Sequence, residues 1–512
     1  MKIEEIRDIV RVISKYESSA KAPLTLSELL NDNSKLADFY RITLDDASND
    51  GGAFLKLYGK ENNAANNYKS LKSYFVLRAI NNITFFDLSK AGRSEHTVAI
   101  YKSYKYLFVV HVLLALGSRS GAIYFAKKIL KLSEKYELHS VAIDLLDKLQ
   151  THALQSGKKK EYLGYTHLLN KKRKVWSCES KIKELEELIR IQFSKSLFIH
   201  DKLKAEVRSA VRKAQILLKQ GDSYFGRVSY YRLLYIHYQI EGAPVKSAIT
   251  CSNAIKYMAA KPQMSPASRL AEFGLYKLEN YILARDYEKG KKAAHYCGGH
   301  LDRGMNLWFT YKEYEFLLMM QTVKFSEAIS IYQEVISHER YHSQLLHTRE
   351  KWDIFGLYVA YIAQFEEVPK QQNRNVNYDK LLLGAGMKKG KTFRSPTYAK
   401  DKKGFNVAIL VMNILVLLEE DKKDLLVKQE DALSSYRFKY LNQKHSHQSF
   451  ILFKLIRLMI KNDFDLRKIE TKSEEIEKQF RTAKLTSGEI FECIQILPPN
   501  WVWNRMKIIL ST

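Results

Sequence analysis

Two histidines four residues apart are the first side chains in this chain whose types and spacing suggest catalysis. His338 and His342 flank Glu339 in the sequence HERYH, which fits the pattern H-E-x-x-H. On a helix the two imidazoles would share one face and hold a zinc ion, with the glutamate as general base. Arg340 would put a cation beside the metal, and the segment has the polarity of a solvated helix end. We therefore interpret the motif as coincidental, although a third ligand is available from His347, Glu350 or Glu366.

A second motif suggests nucleotide chemistry. Ala385–Thr392 reads AGMKKGKT and fits a relaxed phosphate-loop pattern whose first glycine is replaced by Ala385. In such a loop backbone amides cradle the phosphates, while Lys391 and Thr392 would reach phosphate and magnesium at a helix N-terminus. Pro396 follows closely and argues against a helix at that point. We interpret this motif as coincidental too and predict a flexible basic loop, with neither a cofactor nor a metal site.

Three groups of lysines and arginines are the candidate binding residues. The loop contributes Lys388, Lys389, Lys391, Arg394, Lys400, Lys402 and Lys403. The second group comprises Lys158, Lys159, Lys160, Lys171, Lys172, Arg173 and Lys174, next to Trp176. The third comprises Lys202, Lys204, Arg208, Arg212 and Lys213, in which Lys204, Arg208 and Arg212 follow each other at one helical turn. Such cations neutralise phosphates and neighbouring aromatic rings stack on bases, although solvated helix faces have the same composition.

Two further patterns are interpreted as structural. Six aromatic residues at helical spacing favour a core between helices over a ligand groove: Tyr224, Phe225, Tyr230, Tyr231, Tyr235 and Tyr238. His295, Cys297 and His300 have spacings that suit a metal, but no fourth ligand is near and Gly298 with Gly299 predicts a turning loop.

The elements that would position these residues are helices that restart about every forty residues. Amphipathic segments alternate with short breaks near Gly117, Gly157 and Gly242, at Asp286–Tyr287 and at Lys324–Phe325. No segment alternates with period two between turn signals, so a sheet is not expected. The predicted helices include Ile3–Tyr16, Leu36–Leu44, Leu71–Ile80, Val98–Leu116, Ala122–Tyr136, Ala142–Leu154, Tyr162–Lys171, Lys181–Ser194, Ala205–Lys219, Gly226–Gln239, Val245–Met258, Leu270–Leu283, Tyr311–Met320, Ser326–Ile336, Phe405–Glu420, Asp424–Tyr440, Gln448–Ile460, Ser473–Ala483 and Trp501–Leu510.

This succession resembles tetratricopeptide repeats, most closely from Gly304 to Ile336, with Trp308 near the start of that unit. The resemblance implies an all-α fold: an α-solenoid of antiparallel helix pairs whose concave face holds a partner. A second resemblance, carried by Phe393–Lys422, is to uncharacterised all-helical bacterial proteins, and it implies a bacterial origin. We expect an irregular helical N-terminal cap over residues 1–95, the repeat array over 96–367, the basic loop over 368–404 and a C-terminal helical region over 405–512.

Composition narrows the class of protein. The 512 residues carry 83 Lys and Arg against 56 Asp and Glu, a net charge of +27, which favours an anionic partner unless the lysines merely cover solvated helix faces. The four cysteines lie far apart and suit a reducing compartment. The longest apolar run, Val407–Leu418, is too short to cross a bilayer, so we expect a cytoplasmic protein without membrane insertion.

Together these observations predict a non-enzymatic scaffold or adaptor that binds a protein partner on its helical-repeat surface. The alternative is a helical-repeat protein that binds RNA or DNA through the basic groups. A zinc- or nucleotide-dependent enzyme is the second alternative. The sequence leaves the oligomeric state open.

Overall fold

Regular structure in this protein is helical. The computed structural model describes residues 2–16, 34–45, 49–59, 64–88, 94–195, 201–365, 403–427, 447–482 and 495–511, and these residues contain no strand. They divide into two compact units, Met1–Trp176 and Ser177–Thr512. The predicted divisions at 95, 367 and 404 follow changes of sequence pattern and stay predictions.

The first unit contains helices from Ile3 onward. Its elements are α1 (Ile3–Tyr16), α2 (Lys35–Leu44), α3 (Asp50–Tyr58), α4 (Ala65–Thr84), α5 (Glu95–Ala115), α6 (Arg119–Lys135), α7 (His139–Gln155) and the first part of α8 (Lys159–Lys195). One buried cluster, which includes Phe39 and Phe75, joins α1 to α4. A second cluster, which includes Leu145 and Leu149, joins α5 to α8.

The second unit continues with α9 (Asp201–Gln220), α10 (Tyr224–Ile240), α11 (Pro244–Ala259), α12 (Ala267–Leu283), α13 (Tyr287–Gly298), α14 (Asn306–Gln321), α15 (Phe325–Ile336) and α16 (Leu346–Phe365). It ends with α17 (Lys403–Glu419), α18 (Lys423–Val427), α19 (His447–Lys461), α20 (Leu466–Thr482) and α21 (Pro499–Ser511). A single buried cluster runs from Ala271 on α12 to Met506 on α21. Consecutive helices from α9 to α16 contact each other, and α12 also contacts α14.

The breaks between helices lie where the sequence predicts them. Gly117, Gly157 and Gly242 have φ angles of 79°, 68° and 63°, a backbone region that glycine occupies without steric cost. Arg285 and Val323 take the same left-handed conformation, at φ 51° and 58°, just before α13 and α15. The chain therefore turns at these points even where no glycine is present.

Two expectations about helix boundaries are wrong. Tyr162–Lys171 and Lys181–Ser194 belong to the one helix α8, because the polar residues between them include neither glycine nor proline and Cys178 and Ile182 continue the buried face. The polar sequences at 45–52 and 61–67 predict turns, yet both contain helix starts: Asn49 accepts the Gly52 amide at 2.8 Å and begins α3, and α4 begins at Ala65.

Candidate binding surfaces

The H-E-x-x-H motif does not lie on a helix. α15 ends at Ile336, and His338 and His342 lie in the turns that follow. The His338 ring packs against Trp308, with 5.1 Å between ring centroids, and its Nδ1 accepts the Arg340 amide at 3.1 Å. The one-turn spacing that would align two zinc ligands is therefore missing. Among the residues that the structure describes, no three His, Cys, Asp or Glu side chains form a group able to hold a metal; Glu366 lies outside that part of the chain.

The phosphate-loop motif at 385–392 lies outside the described residues. The same applies to the cations of the basic loop, Lys388, Lys389, Lys391, Arg394, Lys400 and Lys402. Lys403 is the first residue of α17. These predicted binding residues stay predictions.

The third basic group is on α9, where the sequence places a helix, but two of its three aligned cations already have carboxylate partners. Lys204 Nζ lies 3.1 Å from Asp201, and Arg208 lies 2.7 Å from Glu241. Arg212 and Lys213 are exposed and form no ion pair with the residues that the structure describes. Ion pairing thus reduces the charge that this group presents to a partner.

The second basic group lies on α8 in the first unit. Lys172 is half-buried and reaches Glu134 on α6 at 3.7 Å, while Lys171, Arg173 and Lys174 are exposed. This contact brings α6 beside α8. The sequence interpretation did not include α6, although its exposed face carries four further lysines: Lys127, Lys128, Lys131 and Lys135.

The HYCGGH segment is helical up to Gly298 and forms no loop site. The Cys297 side chain is buried, its thiol donates to the Ala271 carbonyl at 3.5 Å, and burial raises the pKa of the thiol to about 12. His300 contacts the Tyr296 carbonyl at 2.8 Å through a ring nitrogen. The predicted turn at Gly298 and Gly299 is one residue too early, because Cys297 continues the buried face of α13.

The aromatic pattern on α10 lies partly in the core between helices. Tyr224 and Tyr235 are buried, whereas the other four aromatic side chains are half-buried. Tyr235 stacks on Tyr276 of α12, with centroids 4.1 Å apart and planes 14° apart. The ring of Tyr224 stacks on Tyr257 of α11 in the same way, with centroids 5.8 Å apart.

Polar side chains between alternate helices of the second unit form an arrangement that the sequence interpretation missed. We call the pairs Arg232–Glu272, Gln239–Asn280, Lys351–Glu313 and Tyr235–Glu279 the polar ladder. Its first rung joins α10 to α12: Arg232 donates to both carboxylate oxygens of Glu272, at 2.8 and 2.7 Å. A fork-to-fork pair of this kind is strong and fixes geometry. Glu186 of α8 is buried beside it; burial raises the pKa of this carboxyl, and Arg232 and Arg190 oppose that effect.

Further rungs lie along the same helices. Gln239 donates to Asn280 at 3.0 Å, again between α10 and α12. Lys351 of α16 bonds to Glu313 of α14 at 2.7 Å, and Phe316 of α14 stacks on Phe355 of α16 with centroids 4.5 Å apart. The partners are separated in sequence by 40, 41 and 38 residues. Corresponding positions of alternate helices thus face each other.

Glu279 is a buried carboxyl of the ladder, with 5% of its surface exposed. Tyr235 donates its hydroxyl to Glu279 at 2.6 Å, across 44 residues. Burial raises the pKa of Glu279 to about 7, and the tyrosine hydrogen bond lowers it only in part. This carboxyl therefore changes charge near neutral pH inside the helix interface.

The first unit has shorter counterparts of these contacts. Tyr104 of α5 bonds to Ser140 of α7 at 3.2 Å, across 36 residues. His111 bonds to Asp144 at 3.0 Å, across 33 residues. α5 and α7 are thus related like α10 and α12, with partly exposed bonds in place of buried ones.

α5 is also unusual in composition. Over Glu95–Ala115 it is long and apolar enough to cross a membrane, and 17% of its most apolar window is buried in the structure. Among the described helices of this protein, α5 alone meets this criterion. The criterion is weak evidence for a membrane span, because core helices of soluble proteins and signal sequences pass the same test. The sequence predicts this helix over Val98–Leu116, where Lys102 and Lys105 interrupt the apolar run.

No protein-family model, curated protein or solved structure matches this chain.

Proposed function

We propose that this protein is a non-enzymatic scaffold or adaptor, built from tetratricopeptide-like antiparallel helix pairs, that binds a protein partner on its helical surface. One observation carries the proposal: polar contacts join alternate helices at separations close to forty residues, from Arg232–Glu272 to Lys351–Glu313. A spacing of this size is the period of a helix-pair repeat.

The ladder supports a repeat because it relates like positions. When a helix pair is followed by an equivalent pair, the first helices of the two pairs lie side by side and run parallel. Arg232 and Glu272 both lie near the middle of their helices, and Gln239 and Asn280 both lie near the C-terminal ends of theirs. Glu313 and Lys351 lie seven and five residues into α14 and α16 respectively. Each helix pair thus contributes one helix to a continuous surface.

Exposed apolar residues at one end of this surface are suited to a protein partner. Met305 precedes α14 and is 52% exposed, and Leu345 and Leu346, where α16 begins, are 78% and 62% exposed. The Lys351–Glu313 pair fixes α14 beside α16 with their first turns at the same end. Neighbouring exposed apolar side chains of this kind are typical of protein interaction sites.

The test compares two variants of the full chain as baits in nuclease-treated extract of the native cells. Leu345→Ser with Leu346→Ser should lower recovery of the protein partner about tenfold, since centrally placed apolar contacts each contribute more than about 1 kcal/mol to binding. Ile216→Ser on α9 removes an exposed apolar side chain elsewhere in the unit and should leave recovery unchanged. Equal recovery with all three baits would contradict the assignment of this surface.

A further inference from the structure

The exposed face of α6 carries a row of lysines. Lys127, Lys131 and Lys135 follow each other at four-residue intervals, and Lys128 lies beside them. Four residues of helix rise about 6 Å, so the three charges form a row along one side of the helix. Tyr124, one turn before Lys128, is 63% exposed on the same face.

A second basic stretch lies next to this row. The 3.7 Å ion pair between Lys172 of α8 and Glu134 of α6 brings the two helices together, although their residues are 38 positions apart in sequence. Lys171, Arg173 and Lys174 surround Lys172 and are exposed. Trp176 lies one turn after Lys172 and is 46% exposed. The basic surface is defined by the residues Tyr124, Lys127, Lys128, Lys131, Lys135, Lys171, Lys172, Arg173, Lys174 and Trp176.

The positive charge of the basic surface is not neutralised locally. Glu134 is the single carboxylate within 119–135 and 171–176, and it is paired with Lys172. The other cations of the surface form no ion pair with the residues that the structure describes. Residues 94–176 contain 15 Lys and Arg against 6 Asp and Glu. Cations that are concentrated in this way attract a chain of negative charges.

We propose that the basic surface binds single-stranded nucleic acid. The lysine rows of α6 and α8 would neutralise consecutive phosphates, and Trp176 and Tyr124 would stack on bases. A lipid surface fits less well, because between Lys127 and Lys135 the exposed face of α6 carries no apolar residue to insert between lipids. A duplex would leave the two aromatic rings without a base face to contact. This site lies in the first unit and does not depend on the protein-binding function proposed for the second.

The experiment measures binding of fluorescently labelled 20-nucleotide RNA and DNA single strands to the full chain by anisotropy, at 50 and 200 mM salt. If four phosphates are neutralised, Kd should rise about fiftyfold over this range. Replacing Lys128, Lys131 and Lys171 by Gln should weaken binding at 50 mM salt by at least about tenfold and reduce the salt effect to about threefold. Thermal unfolding of the variant should match that of the parent, because all three side chains are exposed.

The matched control replaces Lys202, Arg212 and Lys213 by Gln, which removes the same charge from an exposed face of α9. It should change Kd less than twofold. Equal weakening by both variants, or binding that does not respond to salt, would overturn the proposal. So would tighter binding to a duplex of the same length, or binding to phosphatidylcholine–phosphatidylserine vesicles without binding to either single strand.

A separate variant tests stacking. Trp176→Leu removes the aromatic ring without changing charge, so affinity should fall by about fivefold or more while the salt effect stays the same. Unchanged affinity would contradict the contact between Trp176 and a base.

Discussion

Replacing Glu279 by Gln should make the stability of the second unit less dependent on pH. Glu279 is buried between α10 and α12, and burial raises the pKa of its carboxyl from 4.5 to about 7. The hydroxyls of Tyr235, Tyr276 and Tyr314 and the thiol of Cys251 face the same region. Burial raises the pKa of each of these groups above its ordinary value, so they stay neutral between pH 5 and 8.

The sign of the effect follows from proton binding. Between pH 4.5 and 7 the folded protein keeps a proton on Glu279 that the unfolded chain has released, so the free energy of unfolding falls as pH rises through this range. A shift from 4.5 to about 7 corresponds to about 3 kcal/mol in total. Because about a quarter of this is already lost at pH 5, the wild type should lose about 2–3 kcal/mol between pH 5 and 8 through this group.

Glutamine has the size of glutamate, remains neutral and can accept the Tyr235 hydroxyl. Urea unfolding followed by tryptophan fluorescence should therefore show similar stability of variant and wild type at pH 5 and a variant about 2–3 kcal/mol more stable at pH 8. Four of the five tryptophans lie in the second unit and report on it: Trp308, Trp352, Trp501 and Trp503. Glu339→Gln, which changes an exposed carboxylate, should leave the difference between pH 5 and 8 as in the wild type. The reasoning is refuted if Glu279→Gln and wild type lose stability in parallel as pH rises.

Three more substitutions test helix packing and capping, by the same unfolding assay for the second unit and by hydrogen exchange of the α5 amides for the first. Arg232→Ala should destabilise the second unit by about 3 kcal/mol, because half-buried Glu272 loses its cationic partner and keeps the Tyr276 hydroxyl; replacing both residues by Met should restore most of that loss, and no restoration would mean that the pair is not the cause. Gly290→Ala should cost about 1–3 kcal/mol, since its new Cβ would lie 2.6 Å from Leu318 Cδ1; an unchanged midpoint would show that the helices do not approach this closely. Ser94→Ala removes the acceptor of the Thr97 amide at the start of α5 and should cost the first unit about 1 kcal/mol, with no effect expected if the helix begins elsewhere.

Much of the helical structure is predictable from the sequence because local patterns determine it. Ile3–Tyr16 is predicted with both of its observed ends, since apolar residues at helical spacing are followed by polar ones. The breaks at Gly117, Gly157 and Gly242 are equally local, because glycine permits the left-handed backbone that ends a helix. The continuous helix α8 was not predicted, since a basic stretch such as Lys171–Lys174 is compatible with both helix and loop.

The candidate sites were less predictable because they depend on contacts between distant segments. Nothing in the local sequence of α6 indicates that this helix lies beside the basic stretch of α8; the Lys172–Glu134 contact establishes this. The ladder residues did give a signal that was not used. Arg232, Glu272 and Glu279 are charged residues on otherwise apolar faces, separated by 40 and 7 positions, and a search for charges inside apolar faces at a spacing near forty residues would have found the first two.

The proposal that this chain is a protein-binding scaffold is tested most directly by identifying the proteins that copurify with it from native cells, with and without nuclease. We predict that a protein partner remains with the bait after nuclease treatment, in the same fixed ratio as in the untreated sample, as measured by quantitative mass spectrometry. Loss of every protein above the empty-bait background after nuclease treatment would contradict the scaffold function and leave nucleic acid as the partner.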